Sequence, residues 1–126
     1  MENKRLLVVD DEADVCESLK SFLGRRGYEV TIAVTGLEAV EILEKETFPV
    51  VLLDLKMPYF DGWQVLRAVR PKHPDCKFIV VTGFIEPATN SSAGTEEELR
   101  QLGVHDFILK PTKMKEIYEM LEEMYK

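Results

Sequence analysis

The sequence predicts an α/β domain of three layers, a doubly wound parallel sheet of five strands with helices on both faces. Three observations predict it. Four short apolar runs rich in branched residues recur along the chain, amphipathic helical patterns separate the strand-like segments, and the two kinds alternate strictly from end to end. Continuous apolar runs suit strands buried on both faces, and strand–helix–strand connections in such a sheet cross over right-handed.

The first run is Leu6-Leu7-Val8-Val9. A helix over 12–26 comes next, with Val15, Cys16, Leu19, Phe22 and Leu23 on one face and Gly27 placed to end it. Tyr28-Glu29-Val30-Thr31-Ile32 alternates instead, the pattern of an edge strand with one face partly wet. Thr35 and Glu38 read as a capping box opening a second helix that turns Val40 and Leu43 inward. Val50-Val51-Leu52-Leu53 is the next buried run, after which residues 61–70 gather Val65, Leu66 and Val69 before Pro71 stops the helix. Phe78-Ile79-Val80-Val81 makes the fourth strand, and Thr95 with Glu98 caps a shorter helix through Leu102, ended by Gly103. Phe107-Ile108-Leu109 is the last strand. Residues 113–125 then repeat the helical spacing with Ile117, Leu121 and Met124, and Met114, Met120 and Met124 read as core packing.

Length and composition bound the function. The 126 residues fit one domain, 1–126, and 45% apolar with 31% charged residues is ordinary for a globular chain. A net charge of −7 speaks against direct binding of nucleic acid or anionic lipid, which needs a basic footprint. No apolar stretch approaches the ~18 residues of a membrane span. Cys16 and Cys76 are far apart and follow no metal-ligand spacing, and no signal peptide is visible, so free thiols and a cytoplasmic location are expected.

The chemistry lies at the carboxyl ends of the strands. Asp10 and Asp11 come directly after the first, Asp54 closes the third, Thr82 ends the fourth and Lys110 stands just past the fifth. Parallel strands bring these ends to one edge, where open α/β sheets bind their ligands. Three neighbouring carboxylates repel one another unless a cation sits among them, and hard oxygen donors without His or Cys favour Mg²⁺. Three carboxylates, one ammonium and one Mg²⁺ sum to zero. Taken singly, Asp10 and Asp11 could cap a helix, Thr82 could be a plain β-former and Phe107 plain core; it is the convergence that points to a site.

Val-Val-Asp10-Asp11-Glu12, Leu-Leu-Asp54-Leu-Lys56-Met57-Pro58 with Asp61-Gly62, Val-Thr82-Gly83 and Asp106-Phe107-Ile-Leu-Lys110-Pro111 together resemble the signature segments of response-regulator receiver domains, in order and over the whole chain. The resemblance implies a flavodoxin-like sheet of order 2-1-3-4-5. It implies that Asp54 accepts a phosphoryl group from the phosphohistidine of a sensor histidine kinase or phosphotransfer protein. Asp11, Asp54 and the Lys56 carbonyl would bind Mg²⁺ directly and Asp10 through water, while Lys110 and the Thr82 hydroxyl would hold phosphoryl oxygens. Phe107 would then turn inward and reshape the surface of the fourth helix, fifth strand and fifth helix. That surface would be read by a downstream protein or an attached effector domain, with phosphorylation-dependent dimerisation among the expectations. The Lys110–Pro111 bond would be cis. Such a protein is no turnover enzyme, although it catalyses its own phosphotransfer and autodephosphorylation.

Rival readings fare worse. A haloacid-dehalogenase-type phosphatase needs an Asp-x-Asp motif after the first strand, where this chain has Asp10-Asp11-Glu12. A nucleotide or flavin module needs glycines and backbone amides at the same turn, where acids stand. A receiver-like module that docks partners without phosphorylation is the remaining alternative. The chain departs from the family in a longer segment around 84–94, which would leave the fourth helix short. Lys56 and Phe84 occupy the positions where the family steers water toward the acyl phosphate. Phe84→Ala is expected to shorten the half-life of the phosphorylated protein, measured by loss of the adduct after removal of the phosphodonor; an unchanged half-life would remove the shielding role.

Overall fold

A computed structural model describes residues 4–83, 96–110 and 112–125, with Thr82 and Glu96 described by backbone alone. In chain order the elements are β1 (Arg5–Val9), α1 (Ala13–Gly24), β2 (Glu29–Ala33), α2 (Gly36–Lys45), β3 (Val50–Asp54), α3 (Gly62–Val69), a 3₁₀ turn (Arg70–Lys72), β4 (Lys77–Thr82), α4 (Glu96–Gln101), β5 (Asp106–Leu109) and α5 (Met114–Met124). Every strand pairing is parallel, in the order β2-β1-β3-β4-β5. This is the doubly wound, three-layer, flavodoxin-like sheet expected of the sequence.

Successive strand residues point to opposite faces, and the apolar runs therefore feed two cores. Leu7, Val9, Val51, Leu53, Phe78 and Val80 pack with residues of α2, α3 and α4 on one side. Leu6, Val8, Leu52, Ile79 and Val81 pack with Cys16, Leu19 and Leu23 of α1 and Ile117 and Leu121 of α5 on the other. All five residues of β3 are buried, as befits the central strand.

The helix ends obey local chemistry. Gly27 (φ +95°) and Gly103 (φ +78°) each reverse the chain in the left-handed region. Tyr28 N–H then donates to Leu23 O, and Val104 N–H to Leu99 O, the wrapped bond of a Schellman motif at each site. At Thr35 only half of the anticipated box forms. Glu38 N–H donates to Thr35 Oγ1 (3.0 Å), but the Glu38 carboxylate accepts from Val34 N–H (2.9 Å), one residue earlier. The complete box lies at α3, where Asp61 Oδ1 accepts from Gln64 N–H (3.0 Å) and Gln64 Oε1 from Asp61 N–H (2.9 Å).

Three expectations need correction. The run Phe107-Ile108-Leu109 is not buried on both faces: β5 is the sheet's second edge, Phe107 and Ile108 are half-buried and Leu109 is 55% exposed. With one neighbouring strand, its outer flank lacks the cover that β3 receives. Val15 on α1 and Met114 on α5 are not buried in the core: they stay 39% and 38% exposed and line an open cavity at the carboxyl edge of the sheet. Met120 and Met124 do pack on the second core. The expectations placed on Phe84, on the 84–94 segment, on Thr95 as a cap and on the Lys110–Pro111 bond lie outside the described residues.

Both cysteines are free and buried, and burial pushes the Cys16 thiol up to about 11 and the Cys76 thiol up to about 12. Among the described residues no helix is long and apolar enough to cross a membrane. Phe78 is wholly buried at the centre of the sheet, whereas Leu37 on α2 is 59% exposed. Phe78→Ala is expected to cost roughly 3–5 kcal/mol of unfolding free energy in urea titrations, and Leu37→Ala about 0.5 kcal/mol or less.

Candidate functional site

Register decides who meets whom. β1 lies between β2 and β3, with Val9 opposite Leu53, so Asp10 and Asp54 emerge side by side at the carboxyl edge. Asp10 N–H still donates to Ala33 O (3.1 Å), extending the ladder one residue past the strand. Its Oδ1 accepts from Glu12 N–H (2.9 Å), and its carbonyl accepts from the Cys16 thiol (3.3 Å). The Asp10 side chain thus shapes the turn into α1 and faces the site at once.

Asp54 is the last residue of β3, and its Oδ1 accepts from Lys56 N–H (3.1 Å). The start of α3 sits directly on this strand end. Gly62 N–H donates to Leu55 O (2.9 Å), and a Cβ at Gly62 would collide with the Asp54 carbonyl oxygen and stand 2.7 Å from Leu55 Cα. Any side chain there would push the turn away from the carboxylate. With the Asp61–Gln64 box holding the helix start, the acceptor loop is clamped from below.

Lys110, just beyond β5, reaches back across the edge. Its Nζ lies 3.4 Å from Asp10 Oδ2, 3.4 Å from Asp54 Oδ2 and 3.8 Å from Glu12 Oε1. Asp10 and Asp54 are each only 6% exposed, whereas Asp11 is open to solvent. One carboxylate oxygen from each of Asp10, Asp11 and Asp54 falls within 4.8 Å of the others.

Burial is the main cause that raises the Asp54 carboxyl above its usual range, opposed by the Lys56 N–H and the Lys110 charge and reinforced by Asp10. For Lys110 burial works downward, but the charges of Asp54 and Asp10 and their hydrogen bonds outweigh it, and its pKa stands above the ordinary lysine value. One ammonium thus faces more negative charge than it neutralises. Three hard oxygen donors crowded together, two of them buried, form a donor set that fits Mg²⁺.

Of the residues singled out from the sequence, Asp10, Asp11, Asp54 and Lys110 come together. Lys56 contributes its backbone N–H while its side chain stays exposed. Thr82 ends β4 opposite Leu109, one residue before Lys110, and its side chain lies outside the described residues. Phe107 is half-buried against the core on the α2/α3 side of the sheet. Glu12 was not singled out, yet its backbone holds Asp10 and its carboxylate approaches Lys110; its place directly after two aspartates was the available signal. Gly62 stands in the Asp61-Gly62 segment and reads from the sequence as a turn residue, but its close packing on Asp54 does not, because contact with a preceding strand is invisible in sequence.

A family model of the response regulator receiver domain matches residues 6–122. The chain is 31% identical to the response regulator receiver protein CpdR of Brucella abortus (strain 2308) over 121 residues, covering 96% of each chain. It is 30% identical to the transcriptional regulatory protein ZraR of Klebsiella oxytoca over 118 residues, 94% of this chain and 25% of that one. The chain therefore spans about a quarter of the length of some relatives it matches. Among solved structures, the response regulator protein TrrA of Thermotoga maritima in complex with Mg²⁺-BeF is similar with a TM-score of 0.78 and 30% identity, covering 96% of this chain and 98% of that one.

A carboxyl whose folded pKa exceeds its unfolded value favours the fold while protonated, and that contribution is lost as pH rises through the folded pKa. Asp54→Asn, which removes the buried charge, is expected to stabilise the metal-free protein at neutral pH. The gain should shrink as pH falls through the raised Asp54 pKa. Urea unfolding in a chelator across that range checks both the sign and the trend.

Proposed function

The chain belongs to the response regulator receiver-domain family, and from that premise we propose that residues 1–126 form a phosphoacceptor domain of a two-component system, loaded at Asp54. The observation that carries this reading is the buried Asp54 carboxylate beside Asp10, bridged by Lys110 and flanked by Asp11. A nucleophile, a cation for its phosphoryl oxygens and a hard-oxygen metal site need to meet in one place, and these residues supply all three.

The donor is the phosphohistidine of a sensor kinase or phosphotransfer protein. An Asp54 oxygen attacks phosphorus in line, a P–O bond forms, and the P–N bond breaks with its electron pair leaving on the imidazole, which takes a proton from solvent. Such a transfer rests on positioning and charge neutralisation. The Lys56 N–H and the packed start of α3 support the positioning of Asp54. Lys110 leaves its carboxylate partners to hold a phosphoryl oxygen. Mg²⁺, held by Asp11, Asp54 and the Lys56 carbonyl with Asp10 acting through water, would supply charge neutralisation at the transferring group.

The output is a shift between two conformations. The Thr82 hydroxyl turns to a phosphoryl oxygen, and Phe107 moves from its half-buried position into the space released. The surface of α4, β5 and α5 then changes for a downstream protein or an attached effector domain, with dimerisation as one outlet. The protein acts in the cytoplasm and hydrolyses its own acyl phosphate without turning over a separate substrate.

Incubation with Mg²⁺ and acetyl phosphate, read by intact mass, tests the reading. One added phosphoryl group is expected, dependent on Mg²⁺ and absent in Asp54→Ala. No adduct on the native chain, together with no spectral change on adding beryllofluoride, would sink it and leave a docking module on the same fold.

A further inference from the structure

Beneath the acid cluster the sheet edge opens into a cavity of about 490 Å³. Its walls are apolar, with Val15 and Leu19 from α1 facing Met114 and Ile117 from α5 above Leu52 and Val81. Asp10, Glu12, Asp54 and Lys110 border the same space, so an apolar chamber and a charged rim form one continuous void. Its size falls within the ~300–1,000 Å³ of small-molecule sites, which combine mostly apolar walls with a few placed polar groups. Phosphoryl acceptance uses the rim alone and requires no chamber below it.

The rim also selects the charge of an occupant. Asp10, Glu12 and Asp54 carry three negative charges against the single ammonium of Lys110, which already lies within 3.8 Å of all three. A cationic head finds carboxylates there, whereas an anionic head meets net repulsion. Val15 and Met114 remain 39% and 38% exposed at the chamber wall, and an apolar body seated between α1 and α5 would take that surface out of water.

We propose that this cavity binds an amphipathic organic ammonium, its aromatic or branched alkyl body between α1 and α5 and its protonated amine among Asp10, Glu12 and Asp54. The amine and a divalent cation draw on the same carboxylates, so each weakens the other by the same factor. That mutual exclusion rests on the Mg²⁺ site proposed for phosphoryl transfer; the seating of the apolar body does not.

The test uses the whole ¹⁵N-labelled chain, first in chelator, titrated with three probes that share one body: 4-phenylbutylamine, 4-phenylbutanol and 4-phenylbutyrate. The amine is expected to shift amide resonances of α1 and α5 and to bind about tenfold tighter than the carboxylate, with the alcohol between them. Val15→Ser and Met114→Ser alter exposed side chains, leave the fold intact, and are expected to weaken the amine severalfold. A separate Mg²⁺ titration without probe reads the metal site by itself. Amine and carboxylate binding alike, shifts confined to other elements, or no shift at millimolar probe would overturn the cavity proposal even where Mg²⁺ binds. Amine affinity unmoved by saturating Mg²⁺ would overturn the placement of its head among the carboxylates.

Discussion

Two carboxylates buried side by side at the end of an apolar sheet repel each other and lose hydration, and only a cation close to both offsets those costs. In this protein that cation is the Lys110 ammonium, 3.4 Å from each. Most of the architecture can be understood as delivering these three groups to one point. β1 and β3 are neighbours, in a register that sets Asp10 beside Asp54. β4 carries β5 alongside it, with Thr82 opposite Leu109, which leaves Lys110 leaning over the same edge. Among the described residues no buried side-chain nitrogen or oxygen lacks a hydrogen-bond partner, so the site is held without an orphaned group.

The precision of the site comes from packing more than from the charges. Both faces of the sheet are covered, and interiors packed to crystal-like density resist small displacements. The Asp61–Gln64 box and the contact of Gly62 with the Asp54 carbonyl fix the turn after the acceptor. α4 is tied to α3 by Arg67, whose guanidinium donates to the Glu98 carboxylate, and by Arg70, which donates to Leu102 O. The two sides of the sheet serve different ends. The α2/α3 side holds the acceptor loop and half-buried Phe107, whereas the α1/α5 side leaves a chamber that opens on the carboxylates. Apolar walls beside Asp54 and the upward shift of its carboxyl are two expressions of one environment.

The central strands were legible in the sequence because continuous branched apolar runs have few alternatives once helices flank them, and Val50-Val51-Leu52-Leu53 proved buried throughout. The last run, Phe107-Ile108-Leu109, misled for a related reason. Apolarity records what a residue can tolerate, while burial depends on which neighbours arrive, and an edge strand has one strand neighbour instead of two. The capping signals divided in the same way. Thr35 accepted the expected bond, but the Glu38 carboxylate chose Val34 N–H, an option that spacing alone does not rank.

By itself the sequence determined the alternation of strand and helix, the parallel sheet, and the convergence of Asp10, Asp11, Asp54 and Lys110, because these arise from periodicity and from the shared direction of parallel strands. Tertiary structure alone decided that Lys110 bridges Asp10 and Asp54, that Glu12 joins them, and that Gly62 must lack a side chain. It alone decided that a 490 Å³ chamber lies below. Those features depend on distances between segments far apart in the chain, set by register and by how the helices seat on the sheet, and no local pattern of residues encodes them.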